Sequence, residues 1–114
     1  MRRAEFEAVY RGGQRRSSVR FVVFFLPNGL ACSRFGSSVK RAQGGAVVRN
    51  RVRRRIREIL RLHRQEIAPG WDVVIHPRSP ERLSSAPFAP LAQELVELLQ
   101  ASLRRNAGQK EPRA

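Results

Sequence analysis

The stretch Ala46-Val47-Val48-Arg49-Asn50-Arg51-Val52-Arg53-Arg54-Arg55-Ile56-Arg57-Glu58-Ile59-Leu60-Arg61-Leu62-His63-Arg64 decides how the rest of the chain must be arranged. Projected at about 100° per residue, Val48, Val52, Ile56, Ile59, Leu60 and His63 gather on one side, and Arg49, Asn50, Arg53, Arg54, Arg57, Arg61 and Arg64 on the other. The spacing predicts one helix with an apolar face that other elements must cover and a basic face that seeks anions. Glu58 is the only acidic residue in the run, so pairing along the helix cannot neutralise the arginines and their partner is expected outside it. A solubilising surface normally mixes signs, whereas this one repels itself. A planar guanidinium also binds phosphate bidentately and stacks on bases, which makes nucleic acid the expected partner. Lys40 and Lys110 are the only lysines; a compositional preference for arginine would explain the residue type but not its crowding on one helix face.

Upstream, residues 3–11 predict a short helix in which Phe6 and Tyr10 stand one turn apart beside Val9, ended by Gly12-Gly13. That spacing suits a core, and it equally suits rings that stack on unpaired bases. Residues 19–26 are rich in β-branched and aromatic side chains and close with Pro27-Asn28-Gly29, which predicts the first strand of a hairpin whose second strand is 30–39. Val19, Phe21, Val23 and Phe25 form its core face. Val22, Phe24 and Leu26 make the other face apolar too, which means burial on both sides or a binding platform. Cys32 reads as a small buried residue. The loop 40–45 feeds the central helix and lacks a Gly-Lys-Ser/Thr sequence, which excludes a P-loop.

Downstream, Ala68-Pro69-Gly70 interrupts the pattern and Trp71-Asp72-Val73-Val74-Ile75-His76 resumes as a strand, so the helix is a crossover between parallel strands. Trp71 belongs in the core and His76 at a strand end. The proline-rich segment 77–90 reads as a loop. From Phe88, the spacing of Leu91, Leu95, Leu98, Leu99 and Leu103 predicts an amphipathic helix packed on the sheet, with Glu94 and Glu97 outward.

A chain of 114 residues with 41% hydrophobic content suits a single core, and a formal charge of +14 points to a polyanion. The lone Cys32 cannot form an internal disulfide, and with only His63 and His76 beside it no metal-ligand spacing appears. The N-terminus lacks the apolar segment of a signal peptide, and the longest apolar run fits a strand rather than a membrane span. Asp72 is the sole aspartate, and its place at the head of an apolar strand suggests a structural contact. No carboxylate pair is spaced for acid–base or two-metal work, so the polypeptide is not expected to catalyse.

The run Arg34-Phe35-Gly36-Ser37-Ser38-Val39-Lys40-Arg41, followed by Gly44-Gly45-Ala46-Val47-Val48-Arg49-Asn50-Arg51-Val52-Arg53-Arg54-Arg55-Ile56-Arg57-Glu58 and the strand Trp71-Asp72-Val73-Val74-Ile75, resembles the signature of the bacterial ribonuclease P protein subunit over about residues 3–103. The resemblance implies an α+β, single-domain α/β sandwich with a small mixed sheet packed with helices, in the order αβββαβα. It also implies a left-handed βαβ crossover, against the general right-handed rule. The domain would occupy residues 1–105, with 106–114 a disordered basic tail.

By the same resemblance, the chain would bind the catalytic RNA of ribonuclease P and the 5′ leader of precursor tRNA, assisting endonucleolytic removal of the leader while the RNA performs the chemistry. Magnesium would be bound mainly by the RNA subunit and the substrate. Carried over by position, Lys40, Arg41, Arg49, Asn50, Arg51, Arg54 and Arg61 would contact the catalytic RNA. Phe6, Tyr10, Val22, Phe24, Arg53 and Arg57 would line the leader cleft, and Arg78 would add a phosphate contact. Arg55 falls beside the apolar face, where the family often has leucine, and is expected to extend its charged end past the core edge. The loop departs from the family by carrying Ala42, Gln43 and Gly45 where basic residues are usual, which lowers its charge. The expected setting is cytoplasmic, with the catalytic RNA and precursor tRNA as partners, no membrane and no obligate protein partner.

Three other classes compete on composition alone. A ribosomal or chromosomal architectural protein would share the charge, and the RNA that copurifies would separate it. A membrane-surface helix would need Trp, Phe or Leu where this one has mainly Val and Ile. A protein enzyme acting alone lacks the residues to do the work.

Overall fold

The computed structural model describes residues 1–39 and 45–103. Its elements run α1 (Arg3–Gly12), β1 (Gln14–Ser17), β2 (Phe21–Pro27), β3 (Arg34–Ser37), α2 (Ala46–Leu62), a 3-10 turn (Arg64–Glu66), β4 (Trp71–Pro77), α3 (Pro80–Ser85) and α4 (Phe88–Ser102). This is the expected α+β order with one addition, since the segment 77–90 is not all loop. Pro80 opens α3 at a helical position whose N–H would have no partner in any case, and Leu83 anchors the helix in the core. The proposed domain end at 105, the tail 106–114, Lys40 and Arg41 lie outside the described residues.

The sheet has the order β1-β2-β4-β3, with β4 antiparallel to β2 and parallel to β3. The expected hairpin between 19–26 and 30–39 is therefore wrong: β4 lies between those two strands. Residues Trp71 to Ile75 are all buried, and a strand covered on both faces takes the central place in a sheet. Asn28, read as part of a hairpin turn, instead ties the loop after β2 to the start of β4. Its backbone N–H donates to Gly70 O at 2.9 Å and its side chain to Asp72 Oδ1 at 3.0 Å. The hairpin that does form joins β1 to β2 through Ser18, whose N–H donates to Phe21 O at 2.8 Å. Val19, at the tip of that turn and 85% exposed, is not core. Strand β3 starts only at Arg34, and Cys32 in the preceding loop is exposed rather than buried.

Directly paired residues share a face of a sheet, so the register divides it cleanly. Phe21, Val23, Phe25, Trp71, Val73 and Ile75 pack against Val52, Ile56 and Ile59 of α2 and Leu91, Leu95 and Leu99 of α4. The opposite face carries Val22, Phe24, Leu26, Asp72, Val74, His76, Arg34 and Gly36, and α1 crosses it, where Val9 and Val74 are fully buried. Glu94 of α4 departs from its expected outward position. Its carboxylate accepts the Ser18 hydroxyl and the Arg20 backbone N–H and pairs with Arg20 Nε at 3.3 Å, clamping the β1–β2 turn to α4.

Candidate nucleic-acid interface

On the α1 side of the sheet, Tyr10 meets Phe24 edge to face with ring centroids 5.1 Å apart, and its hydroxyl hydrogen-bonds His76 Nε2 at 2.7 Å. Phe24 and His76 are themselves 5.3 Å apart, and Val22 pairs with His76 across the strands. Tyr10, Val22 and Phe24 thus gather around His76 on one face, and Tyr10 is 42% exposed. His76 completes the cluster, a role that sequence reasoning missed although its parity with Val74 on β4 carried the signal. Phe6 lies farther across the face, against Gly36. A Cβ at Gly36 would stand 2.5 Å from Phe6 Cζ, so only glycine lets the ring rest on β3. Gly13 allows a similar approach, since a Cβ there would meet Val9 O at 2.5 Å and Phe25 O at 2.6 Å.

The N-terminal half of α1 is fixed by charge. Arg34 donates from Nε to Asp72 Oδ1 at 2.8 Å and from Nη2 to Asp72 Oδ2 at 2.7 Å, and from Nη1 to Glu5 Oε2 at 2.8 Å. Burial pushes the Asp72 carboxyl up, but the Arg34 and Asn28 hydrogen bonds outweigh it and hold the group below the usual carboxylate value. Asp72 is therefore the structural contact its position suggested, and both its oxygens are occupied.

Helix α2 spreads its arginines over three directions. Arg53 and Arg57 overhang the edge strand, and with Phe35, Gly36, Ser37, Ile56 and Leu60 they line a notch of about 230 Å³. The notch adjoins the aromatic face through Gly36. Arg51, Arg54 and Arg57 are exposed and have no acidic partner among the described residues. Asn50 is exposed too and accepts from Arg53 Nη1 at 3.2 Å, while Arg49 is half-buried.

Arg61 differs from the expectation of an unpaired face. Its Nε and Nη2 donate to Glu58 at 3.0 and 2.6 Å, so the single acidic residue neutralises the last arginine of the helix. Arg55 turns the third way and does more than reach past the core edge. It donates to the carbonyls of Leu83, Ser84 and Ala86 at the end of α3, and its guanidinium lies 5.8 Å from the Phe88 ring centroid. Arg78 is exposed beside the β1–β2 turn, with Nη1 donating to Ser18 O at 3.2 Å.

The family model described as Ribonuclease P matches residues 1–102. This chain belongs to the ribonuclease P protein family. It is 40% identical over 111 residues to the ribonuclease P protein component of Desulfovibrio desulfuricans, covering 94% of this chain and 84% of that one. The component from Roseiflexus castenholzii is 43% identical over 95 residues, or 83% of this chain and 76% of the relative. Among solved structures, the RNase P protein from Thermotoga maritima superposes with a TM-score of 0.84 at 35% identity, over 89% of this chain and 94% of that one. The Staphylococcus aureus RNase P protein gives 0.76 at 26% identity, over 89% and 91%.

Family membership carries a part in tRNA 5′ processing within a ribonucleoprotein, with ribonuclease P RNA as partner. No cluster of three His, Cys, Asp or Glu among the described residues could hold a metal ion, and Asp72, the one aspartate, is engaged by Arg34 and Asn28. The described residues do not supply the donor set of a resident magnesium ion. No helix among the described residues is long and apolar enough to cross a membrane.

Proposed function

We propose that this ribonuclease P protein uses two surfaces on one domain, holding the catalytic RNA on one and the 5′ leader of precursor tRNA on the other, while the RNA cleaves. Arg49, Asn50, Arg51, Arg54 and Arg61 make up the catalytic-RNA surface, and contact with the same RNA is assigned by the family resemblance to Lys40 and Arg41, outside the described residues. The leader surface consists of Phe6, Tyr10, Val22, Phe24, Arg53 and Arg57, with Arg78 at its end. Magnesium in this reading is bound by RNA and substrate. The observation that supports the division most is the meeting at Gly36 of the aromatic face with the Arg53–Arg57 notch. Arg54 and Arg51 leave α2 about 100° and 160° around the helix from Arg53, on a separate surface.

The chemistry suits each partner. Rings that present a π-face take single-stranded bases without regard to sequence, and arginines beside them take the phosphates between bases. Arg51 and Arg54, exposed and without an acidic partner among the described residues, gain by releasing counterions from a structured RNA. Reconstitution with ribonuclease P RNA and a precursor tRNA tests the proposal. Tyr10→Ala with Phe24→Ala should spare holoenzyme assembly and weaken precursor tRNA binding by about 1–3 kcal/mol per lost stack, leaving mature tRNA binding nearly unchanged. A folded double variant that still separates precursor from mature tRNA as wild type does would remove the leader surface from the reading. Cleavage by rigorously RNA-free protein would remove the assignment of chemistry to the RNA.

A further inference from the structure

Tyr10, Phe24 and His76 form a closed triangle of rings on the face of the sheet that α1 crosses. Their centroids lie 5.1 Å apart for Tyr10 and Phe24, 5.3 Å for Phe24 and His76, and 5.7 Å for Tyr10 and His76. The Tyr10 hydroxyl and His76 Nε2 are hydrogen-bonded at 2.7 Å. His76 is half-buried and Tyr10 is exposed, so a ligand can reach the cluster. His76 is the one member that gains a charge near neutral pH.

The hydrogen bond survives that change. A neutral His76 with its proton on Nδ1 accepts at Nε2 from the Tyr10 hydroxyl, and the imidazolium donates from the same nitrogen to the hydroxyl oxygen. The rings keep one arrangement in both states, and only the charge differs. The charged residues around the cluster favour an anion over it. On α1, Arg11 is exposed beside Tyr10, while Glu7, three residues earlier, pairs with Arg3 at 3.5 Å. On β1, Arg15 stands directly opposite Phe24 on the ring face, exposed and without a hydrogen bond or ion pair among the described residues. Strand β2 brings only Val22 and Phe24 to this part of the face, and β3 ends in the uncharged Ser37, opposite Ile75. On β4 itself, Asp72 is taken by Arg34 and Asn28, and Arg78 is exposed two residues beyond His76.

We propose that His76 is a leader-binding residue, which fixes the Tyr10 ring through its hydroxyl and, on taking up a proton, adds a cation beside the base stacked there. This rests on the leader surface assigned above and adds to it a residue that neither the sequence pattern nor the family resemblance named. A leader phosphate near the rings stabilises the imidazolium, so bound leader and bound proton favour each other by the same factor. Histidine takes its proton below about pH 6.5. Precursor tRNA should therefore bind more tightly as pH falls through that region, and mature tRNA, which has no leader, should not.

The test is equilibrium binding to the holoenzyme reconstituted with ribonuclease P RNA, measured for precursor tRNA blocked at the scissile linkage and for mature tRNA. The preference for precursor should grow about threefold to tenfold between about pH 8 and about pH 5.5. Taking the ratio to mature tRNA removes titrations common to both complexes. His76→Gln, which still offers Tyr10 an acceptor but carries no charge, should keep the wild-type preference of pH 8 at every pH. His76→Ala, which gives up the Tyr10 partner as well, should lower that preference about threefold to tenfold further. A second readout needs no variant. In the full-length protein, the titration midpoint of the His76 imidazole signals in NMR should move upward when a short single-stranded RNA is added, while that of His63, paired with Glu66 at the end of α2, should stay. A preference that is flat with pH in the wild type, a pH dependence that survives in His76→Gln, or an unmoved His76 midpoint at saturating RNA would each overturn the role of the charge. Equal preferences for folded His76→Ala and His76→Gln would overturn the positioning of Tyr10. A wild-type holoenzyme that binds precursor no better than mature tRNA at any pH would strike the leader surface itself.

Discussion

Arg54 and Arg55 are neighbours whose side chains leave α2 about 100° apart, and replacing each in turn should give opposite phenotypes. Arg55→Ala removes the donors that serve the carbonyls of Leu83, Ser84 and Ala86, together with the contact to the Phe88 ring. Carbonyls at a helix end have no intrahelical partner, and a cation there is favourable. A hydrogen bond to a charged group contributes roughly 1.5–3 kcal/mol. Bonds sharing one guanidinium are not additive, and the freed carbonyls regain water in part, so the expected loss is about 2–4 kcal/mol. For a domain of this size that lowers the melting temperature by about 10–20 °C.

Arg54→Ala touches no described partner and should stay within about 0.5 kcal/mol of wild type, while weakening ribonuclease P RNA binding and reducing its salt slope by about one. Thermal melts of the isolated proteins and RNA binding across a salt series, below both melting temperatures, give the comparison. Equal melting temperatures for the two variants would refute the capping role of Arg55. A salt slope reduced as much by Arg55→Ala as by Arg54→Ala would refute the division of the helix.

Gly36→Ala should displace the Phe6 ring, because the new Cβ would meet it at 2.5 Å; a loss of about 1–3 kcal/mol in urea melts is expected, with weakened binding of a fluorescent single-stranded leader, and unchanged leader binding would place Phe6 outside the cleft. Asp72 is held below its ordinary value in the folded state, so its contribution is complete above about pH 4, the unfolded carboxylate value, and is lost as pH falls through the lower folded value. Arg34→Met should therefore move the acid-unfolding midpoint upward, and an unmoved midpoint would mean that another group sets acid stability.

The parts of the fold legible in the sequence were those whose pattern is local. Helix α2 was visible because Val52, Ile56 and Ile59 recur at helical spacing, and β4 because Trp71, Val73, Val74 and Ile75 form a short aromatic and β-branched run after the Ala68-Pro69-Gly70 break. Strand β1 was expected only from the family's order of elements and not from its own residues, because Gln14, Arg15, Arg16 and Ser17 are all exposed; its pairing with β2 is a backbone matter that leaves no hydrophobic trace. The turn joining them was missed because Ser18-Val19-Arg20 has neither Gly, Pro, Asn nor Asp, and Ser18 is the only usual turn residue in it. What holds it is the Glu94 carboxylate, from the last helix. Local turn chemistry pointed instead to Asn28-Gly29, where Gly29 does take a positive φ of 72°, but that turn delivers β3 to the far side of β4. The partners that Arg55 and Arg61 find were not legible for related reasons. A helical projection shows which direction a side chain leaves but not what waits there, and one Glu58 among so many arginines does not say which of them it pairs with.

The insertion of β4 between β2 and β3 also sets the dimensions of the candidate leader surface. Neighbouring strands lie about 4.8 Å apart, so the row Phe24, Val74, Gly36 separates the first and last of these residues by roughly 10 Å. A hairpin of β2 with β3 would have placed them side by side and crowded Phe6 onto Tyr10. With β4 between them, Val9 of α1 and Val74 are buried in the middle of the face. The Tyr10–Phe24–His76 rings then remain available on one side, and Phe6 with the Arg53–Arg57 notch on the other. The buried apolar strand that stabilises the core is thus also the spacer that keeps aromatic and basic recognition groups apart, and shortening it should damage both at once.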